Sequence, residues 1–173
     1  MKSHPILFSA PMIRALLAGK KTVTRRMSKQ WLKVKAGDEL WCRETWRTRA
    51  AFDGLRPAEV GKRVGKDVRF EADGSVMDIS GCREEFVSGK IRASIHMPRW
   101  ASRITLEATE DARLERLHDI TEEDAVAEGM QIVGPASTTD RGSFAMLWDS
   151  LHGKDAPWSS NPGVIRLAFK VKA

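Results

Sequence analysis

Short apolar runs punctuated by glycine and proline organise this chain, and no long stripe does. PILFSA, from Pro5, reads as a short strand. Pro11 then suits the start of a helix whose Met12, Ile13, Leu16 and Leu17 fall on one side, and Gly19 ends it in the left-handed conformation. KTVTRR is β-branched at Thr22, Val23 and Thr24 and predicts a strand. KAGDELWCRETW predicts a turn at Gly37 and Asp38 running into a second strand, with Leu40, Cys42, Glu44 and Trp46 on one face and Trp41, Arg43 and Thr45 on the other. Glu44 thus continues an apolar face, where a carboxylate needs a partner or a pocket.

The pattern changes after Arg47. Through Lys90 apolar residues thin out and polar residues and glycines dominate, which reads as an insertion spanning 48–90 of a single domain of 173 residues. Inside it, VRFEADGSVMDI places Asp73 and Gly74 between two alternating runs, a hairpin signal. RITLEATEDARLERL follows as one or two strands, after Pro98 as a strand breaker. DITEEDAVAEGM predicts a short helix with Thr121 as N-cap, acids in its first turn and Gly129 at its end. SFAMLWDSLHG predicts a second helix with Phe144, Leu147, Trp148 and Leu151 facing the core, and GVIRLAFKVK a final strand. Strands dominate and short helices fill the corners, so the expected class is α+β: a mixed, barrel-like sheet with short flanking helices and one inserted hairpin-containing segment.

Charge sharpens this picture. The first fifty residues hold 12 Lys and Arg against 3 Asp and Glu, so of the chain's net +6 the remainder carries −3. Such asymmetry fits either a basic surface facing phosphates or another anion, or a solubilising face. No apolar run reaches the roughly 20 residues of a membrane span, and Ile6 to Phe8 is too short for a secretory signal, so a cytoplasmic protein without membrane contact is expected. Cys42 and Cys82 lack metal-ligand spacing and read as free thiols. His4, His96, His118 and His152 are scattered, and no phosphate-cradling glycine loop is present. Neither a metal nor another cofactor is expected.

The run GKKTVTRR resembles the G-x-K-x-x-E-x-R signature of the ASCH domain family, with Gly19, Lys21 and Arg26 in register. Thr24 stands where many members carry glutamate. A threonine there, in K-T-x-T, is similar to the bacterial N4-acetylcytidine amidohydrolase branch. GDELWCRETW, SIHMPRWASRITLE, DITEEDAVAEGM and FAMLWDSLHG look like the larger ASCH proteins of phages and prophages. The resemblance implies a small PUA-like β-barrel. It also implies RNA or a modified nucleoside as partner, and ribonuclease activity has been attributed to some members.

Carried over residue by residue, the amidohydrolase resemblance implies Lys21, Thr24 and Glu128 as catalytic groups. Cleaving an N-acyl group needs a nucleophile, a base and a donor for the departing amine. Thr24 would supply the hydroxyl or orient a water. Lys21 would be the base if neutral, helped by burial and by Lys20, Arg25 and Arg26. Glu128 would either hold the lysine or shuttle the proton, or else be a solvated residue of the last helical turn. In a regular strand Lys21 and Thr24 have opposite parity, so Lys21 must precede the strand for the two to converge. Further candidates for substrate or RNA contact are Lys20; Arg26, unless it pairs with Glu44; Glu44 itself; His96 and Arg99, as pocket lining or phosphate ligands; and Trp46 and Trp100, as base-stacking surfaces or parts of the barrel wall. Two functions follow. One is a metal-free amidohydrolase acting on N4-acylated cytidine. The other is a non-catalytic RNA-binding module or ribonuclease. The 48–90 insertion would narrow the pocket, extend an RNA groove or bind a protein.

Overall fold

A computed structural model of the chain describes residues 1–63, 66–78, 86–130 and 140–172. It has an α+β architecture in which a curled mixed sheet forms a half-barrel and a few short helices pack around it. The strands are β1 (Ser3–Leu7), β2 (Val23–Arg26), β3 (Glu39–Arg43), β4 (Trp46–Arg47), β5 (Val68–Phe70), β6 (Val76–Met77), β7 (Thr105–Ala108), β8 (Arg113–Arg116) and β9 (Gly163–Val171). The helices are α1 (Ala10–Leu17), α2 (Pro57–Val60), α3 (Glu122–Ala127) and α4 (Asp140–His152).

The main sheet runs β1-β3-β7-β9-β2, with β8 also paired to β9. β9 is its spine. β2 and β8 both register with Ile165 and Arg166, so they occupy opposite edges of β9, and β7 takes its last residues. Only β1 and β3 are parallel. The curl brings the two ends of the path together: the guanidinium of Arg26, at the end of β2, donates to the carbonyl of Leu7, at the end of β1, over 2.6 Å. Inside lies a core of Ile6, Ile13, Leu16, Leu40, Cys42, Leu106, Leu167 and Phe169. Both faces of β3 are buried, since Leu40, Trp41 and Cys42 are all covered.

Beyond Arg43 the single continued face expected for Leu40 through Trp46 breaks. The strand ends, and Trp46 starts a separate antiparallel sheet, β4-β5-β6, whose hairpin turns at Gly74 with φ +73°. This sheet has its own small core of Trp46, Val68, Phe70, Met97 and Ala101. A third cluster, Leu117, Ile120, Ala125, Phe144, Trp148 and Val164, lies under α3 and α4. Leu151 was expected to join it but is 68% exposed. Among the described residues no helix is long and apolar enough to cross a membrane. Cys42 is free and buried, and burial pushes its thiol up to about 12; Cys82 lies outside the described residues.

Candidate functional site

Lys21 does not belong to β2. The chain leaves α1 through Gly19 (φ +68°), Lys21 pairs with Glu128 as an isolated antiparallel bridge, and the strand starts two residues later. The parity conflict with Thr24 therefore disappears: both side chains reach one cavity of about 320 Å³. Glu128 ends α3, with Thr121 capping the helix start through its hydroxyl. Gly129 follows at φ +82°, in contact range of both α1 and Lys21. A Cβ there would stand 2.8 Å from the Ala15 Cβ and 3.2 Å from that of Lys21. Glycine lets the chain pass this close and turns Glu128 toward the cavity.

Glu128 is no solvated helix-end residue. It is 4% exposed, Lys21 2% and Thr24 5%. The Lys21 ammonium donates to the Val23 carbonyl at 2.8 Å, to the Glu128 carbonyl at 2.7 Å and to Glu128 Oε2 at 2.7 Å. Those three bonds use every donor that it has. Burial pushes the Lys21 pKa down; Glu128 pulls it back up, and Arg26 and Arg25 reinforce the fall. The net direction is downward, so the amine releases its proton more readily than a surface lysine.

Arg25 holds the other side of the carboxylate. Its guanidinium reaches Glu128 Oε1 at 3.3 Å, Glu115 Oε1 at 2.7 Å and the carboxylate of Asp124. Arg166 meets the second Asp124 oxygen at 3.2 Å. Burial raises the Asp124 carboxyl, but Arg166 and Arg25 outweigh it and leave it below its ordinary value. The cavity walls are apolar: Leu7, Phe8 and Met12 on one side, and Phe144, Leu147, Trp148 and Leu151 of α4 on the other. The stripe of α4 thus serves as both core and cavity wall. Its Leu151 lines the cavity while remaining exposed. His152 also lines the cavity. Burial and the nearby Arg26 lower its pKa against the pull of Asp155, so the imidazole is neutral at pH 7.

Of the other expected site residues, all but Arg26 lie elsewhere. Arg26 lines the cavity, but it does not pair with Glu44. Glu44 instead receives both Nε and NH2 of Arg103 at 2.9 Å, and Arg103 also reaches Asp73 in the β5–β6 hairpin at 2.8 Å. The end of β3 at Arg43 is what turns Glu44 away from Arg26. Trp46 is 0% exposed and packs edge-to-face on Trp100 at 5.8 Å in the small second core, outside the cavity, so neither ring stacks on a ligand there. His96 is exposed on a short 3-10 turn. Arg99, also exposed, lies over the Trp41 ring at 6.0 Å and donates to Thr105 Oγ1. Lys20 lines a neighbouring depression with Gly129 and Leu147.

The sequence reading did not place Asp124 at the site, Arg25 as the holder of Glu128, or Phe144, Leu147, Trp148 and His152 of α4 as cavity wall. One signal was available: Asp124 and Glu128 are four apart on a helix and so share a face, which calls for a facing cation. Among the described residues no three His, Cys, Asp or Glu side chains group as metal ligands would. No family model, curated protein or solved structure matches this chain.

Proposed function

We propose that the chain is a PUA-like ASCH-type amidohydrolase that removes an acyl group from the exocyclic N4 of a cytosine nucleoside. The observation that carries this reading is the buried Lys21–Glu128 pair, 2.7 Å apart, opening with Thr24 onto one small apolar cavity. A proton-exchanging pair beside an alcohol in a water-poor site is what amide cleavage requires.

The hydrogen bonds support a division of roles. Two backbone carbonyls accept two Lys21 protons, so the third position of the amine faces Glu128 and not Thr24. Lys21 therefore acts through Glu128. The Thr24 hydroxyl, which has no hydrogen-bond partner among the described residues, attacks the amide carbon. Its proton passes to the Glu128 carboxylate, backed by Lys21, and from there to the departing N4 amine. Water repeats the sequence on the threonine ester and frees the acid. Arg25 keeps the Glu128 carboxylate in place and touches no substrate.

Cavity size favours a nucleoside over a strand of RNA, since about 320 Å³ is at the small end of small-molecule sites. The basic excess of the first fifty residues, which suggests RNA, is partly spent inside the molecule: Lys21, Arg25, Lys35, Arg47 and Arg49 each pair with an acid from later in the chain. Incubation with N4-acetylcytidine, followed by chromatography of released cytidine, tests the proposal. Thr24→Val and Glu128→Gln, checked for folding by circular dichroism, should abolish release. A folded wild-type protein that releases no cytidine from the free nucleoside or from an acetylated RNA oligomer sinks it.

A further inference from the structure

Three cations border the cavity, and two are matched. Lys21 has Glu128; Arg25 has Glu115, Asp124 and Glu128. Arg26 has no carboxylate among the described residues. Only the Leu7 carbonyl accepts from it, while its buried Nε has no partner and the Phe8 ring lies 5.1 Å below the guanidinium. A guanidinium stays charged at any ordinary pH, and leaving one half-buried, with its Nε out of solvent and no counter-ion, costs stability. Burial indeed pulls its pKa down, against the opposing influence of Glu128. The neighbouring His152 is neutral and offers no negative charge.

We propose that Arg26 is an anion site within the cavity, built for the oxyanion that forms at the acyl carbon and then for the small carboxylate released, and that carboxylates are consequently inhibitors. This rests on the amidohydrolase reading. A neutral amide brings no charge to Arg26. When the Thr24 oxygen bonds to the acyl carbon, the carbonyl π pair moves onto oxygen and the Thr24 proton to Glu128. Arg26 then meets a full negative charge that the substrate lacked. Collapse restores the carbonyl, breaks the C–N bond and returns the proton to nitrogen. Water next cleaves the ester, regenerating the Thr24 hydroxyl and the acid, whose ionised oxygens again face Arg26. A charge used only after the ground state lowers the barrier without tightening substrate binding. Thr24 and Arg26, two apart on β2, share a strand face, and both line the cavity.

The experiment is titration of the wild-type protein with acetate, with acetamide as the neutral isostere and with inorganic phosphate, followed by calorimetry and by inhibition of N4-acetylcytidine hydrolysis. Acetate should bind and compete while acetamide does not, and Arg26→Gln should weaken acetate at least about tenfold. The same variant should lose about 10²–10³-fold in kcat with little change in KM, the size seen when one oxyanion donor is removed. Equal binding of acetate and acetamide overturns the proposal without any variant, so a misfolded Arg26→Gln does not shield it. Preference for phosphate over acetate overturns it in favour of a nucleic-acid backbone site. If the wild type turns over no substrate yet binds acetate through Arg26, the amidohydrolase reading falls and the anion site stands. If turnover occurs and Arg26→Gln keeps both kcat and acetate affinity, the anion site alone falls.

Discussion

Lys21 and Glu128, 107 positions apart in the chain, meet twice: the ammonium donates to both the carboxylate and the backbone carbonyl of the same glutamate. One side chain thereby fixes the other's rotamer and its backbone, which ties the end of α3 to the start of β2.

Breaking that relationship from one side should be worse than removing it. Lys21→Met leaves a buried carboxylate with only the longer contact to Arg25, and a loss of about 3–5 kcal/mol is expected. The double variant Lys21→Met with Glu128→Leu should be more stable than the single one, because no buried charge is orphaned. Urea denaturation of the four members of the cycle measures the coupling, expected at about 1–3 kcal/mol.

Two glycines separate backbone strain from crowding. Gly19→Ala places a Cβ at φ +68° with nothing within 4 Å, so only the left-handed cost of roughly 1–2 kcal/mol applies. Gly129→Ala adds a clash with Ala15 and should cost clearly more. Under the proposed function it should also lower turnover of N4-acetylcytidine, since relief requires moving Glu128 or Lys21. Thermal denaturation and initial rates on the two variants make the comparison.

Arg103 neutralises a carboxylate that the fold buries. Burial raises the Glu44 pKa above the ordinary 4.5, against the pull of Arg103. A carboxyl raised in the folded state holds its proton where the unfolded chain has lost it. Stability from this group is therefore full below about 4.5 and declines as pH rises through the folded value. Arg103→Ala removes the downward pull and extends that decline to higher pH. The variant should lose about 3–5 kcal/mol at pH 7.5. The deficit should shrink at pH 5, as denaturant titrations at the two pH values would show. A deficit independent of pH would exclude Glu44 as its source.

Cys42 should be inert in the fold. With its thiol pushed up to about 12 and its side chain inside the half-barrel, thiolate is absent near pH 8. In a Cys82→Ser background, Ellman's reagent should report no thiol in native protein and one in guanidinium.

Local signals settled much of the architecture from the chain alone. Alternating and β-branched runs, with Pro11, Gly19, Gly74 and Thr121 at their ends, specify elements through φ preferences and capping, which act over a few residues. The α+β class follows from them, as does the hairpin turning at Gly74. Lys21, Thr24 and Glu128 could be singled out only through resemblance, since their types and spacing are ordinary.

Tertiary structure decided the rest, because partners of buried charges are chosen by which strands lie side by side. Glu44 found Arg103 and not Arg26, since β3 ends at Arg43. The same early end sent Trp46 into a second core. The apolar stripe of α4 looks identical in sequence whether it covers a core or walls a cavity, and only packing left Leu151 exposed on the cavity wall. Arg26 was visible as a charge in a basic run. Its lack of an acid partner is a property of the folded neighbourhood, where burial makes that lack count.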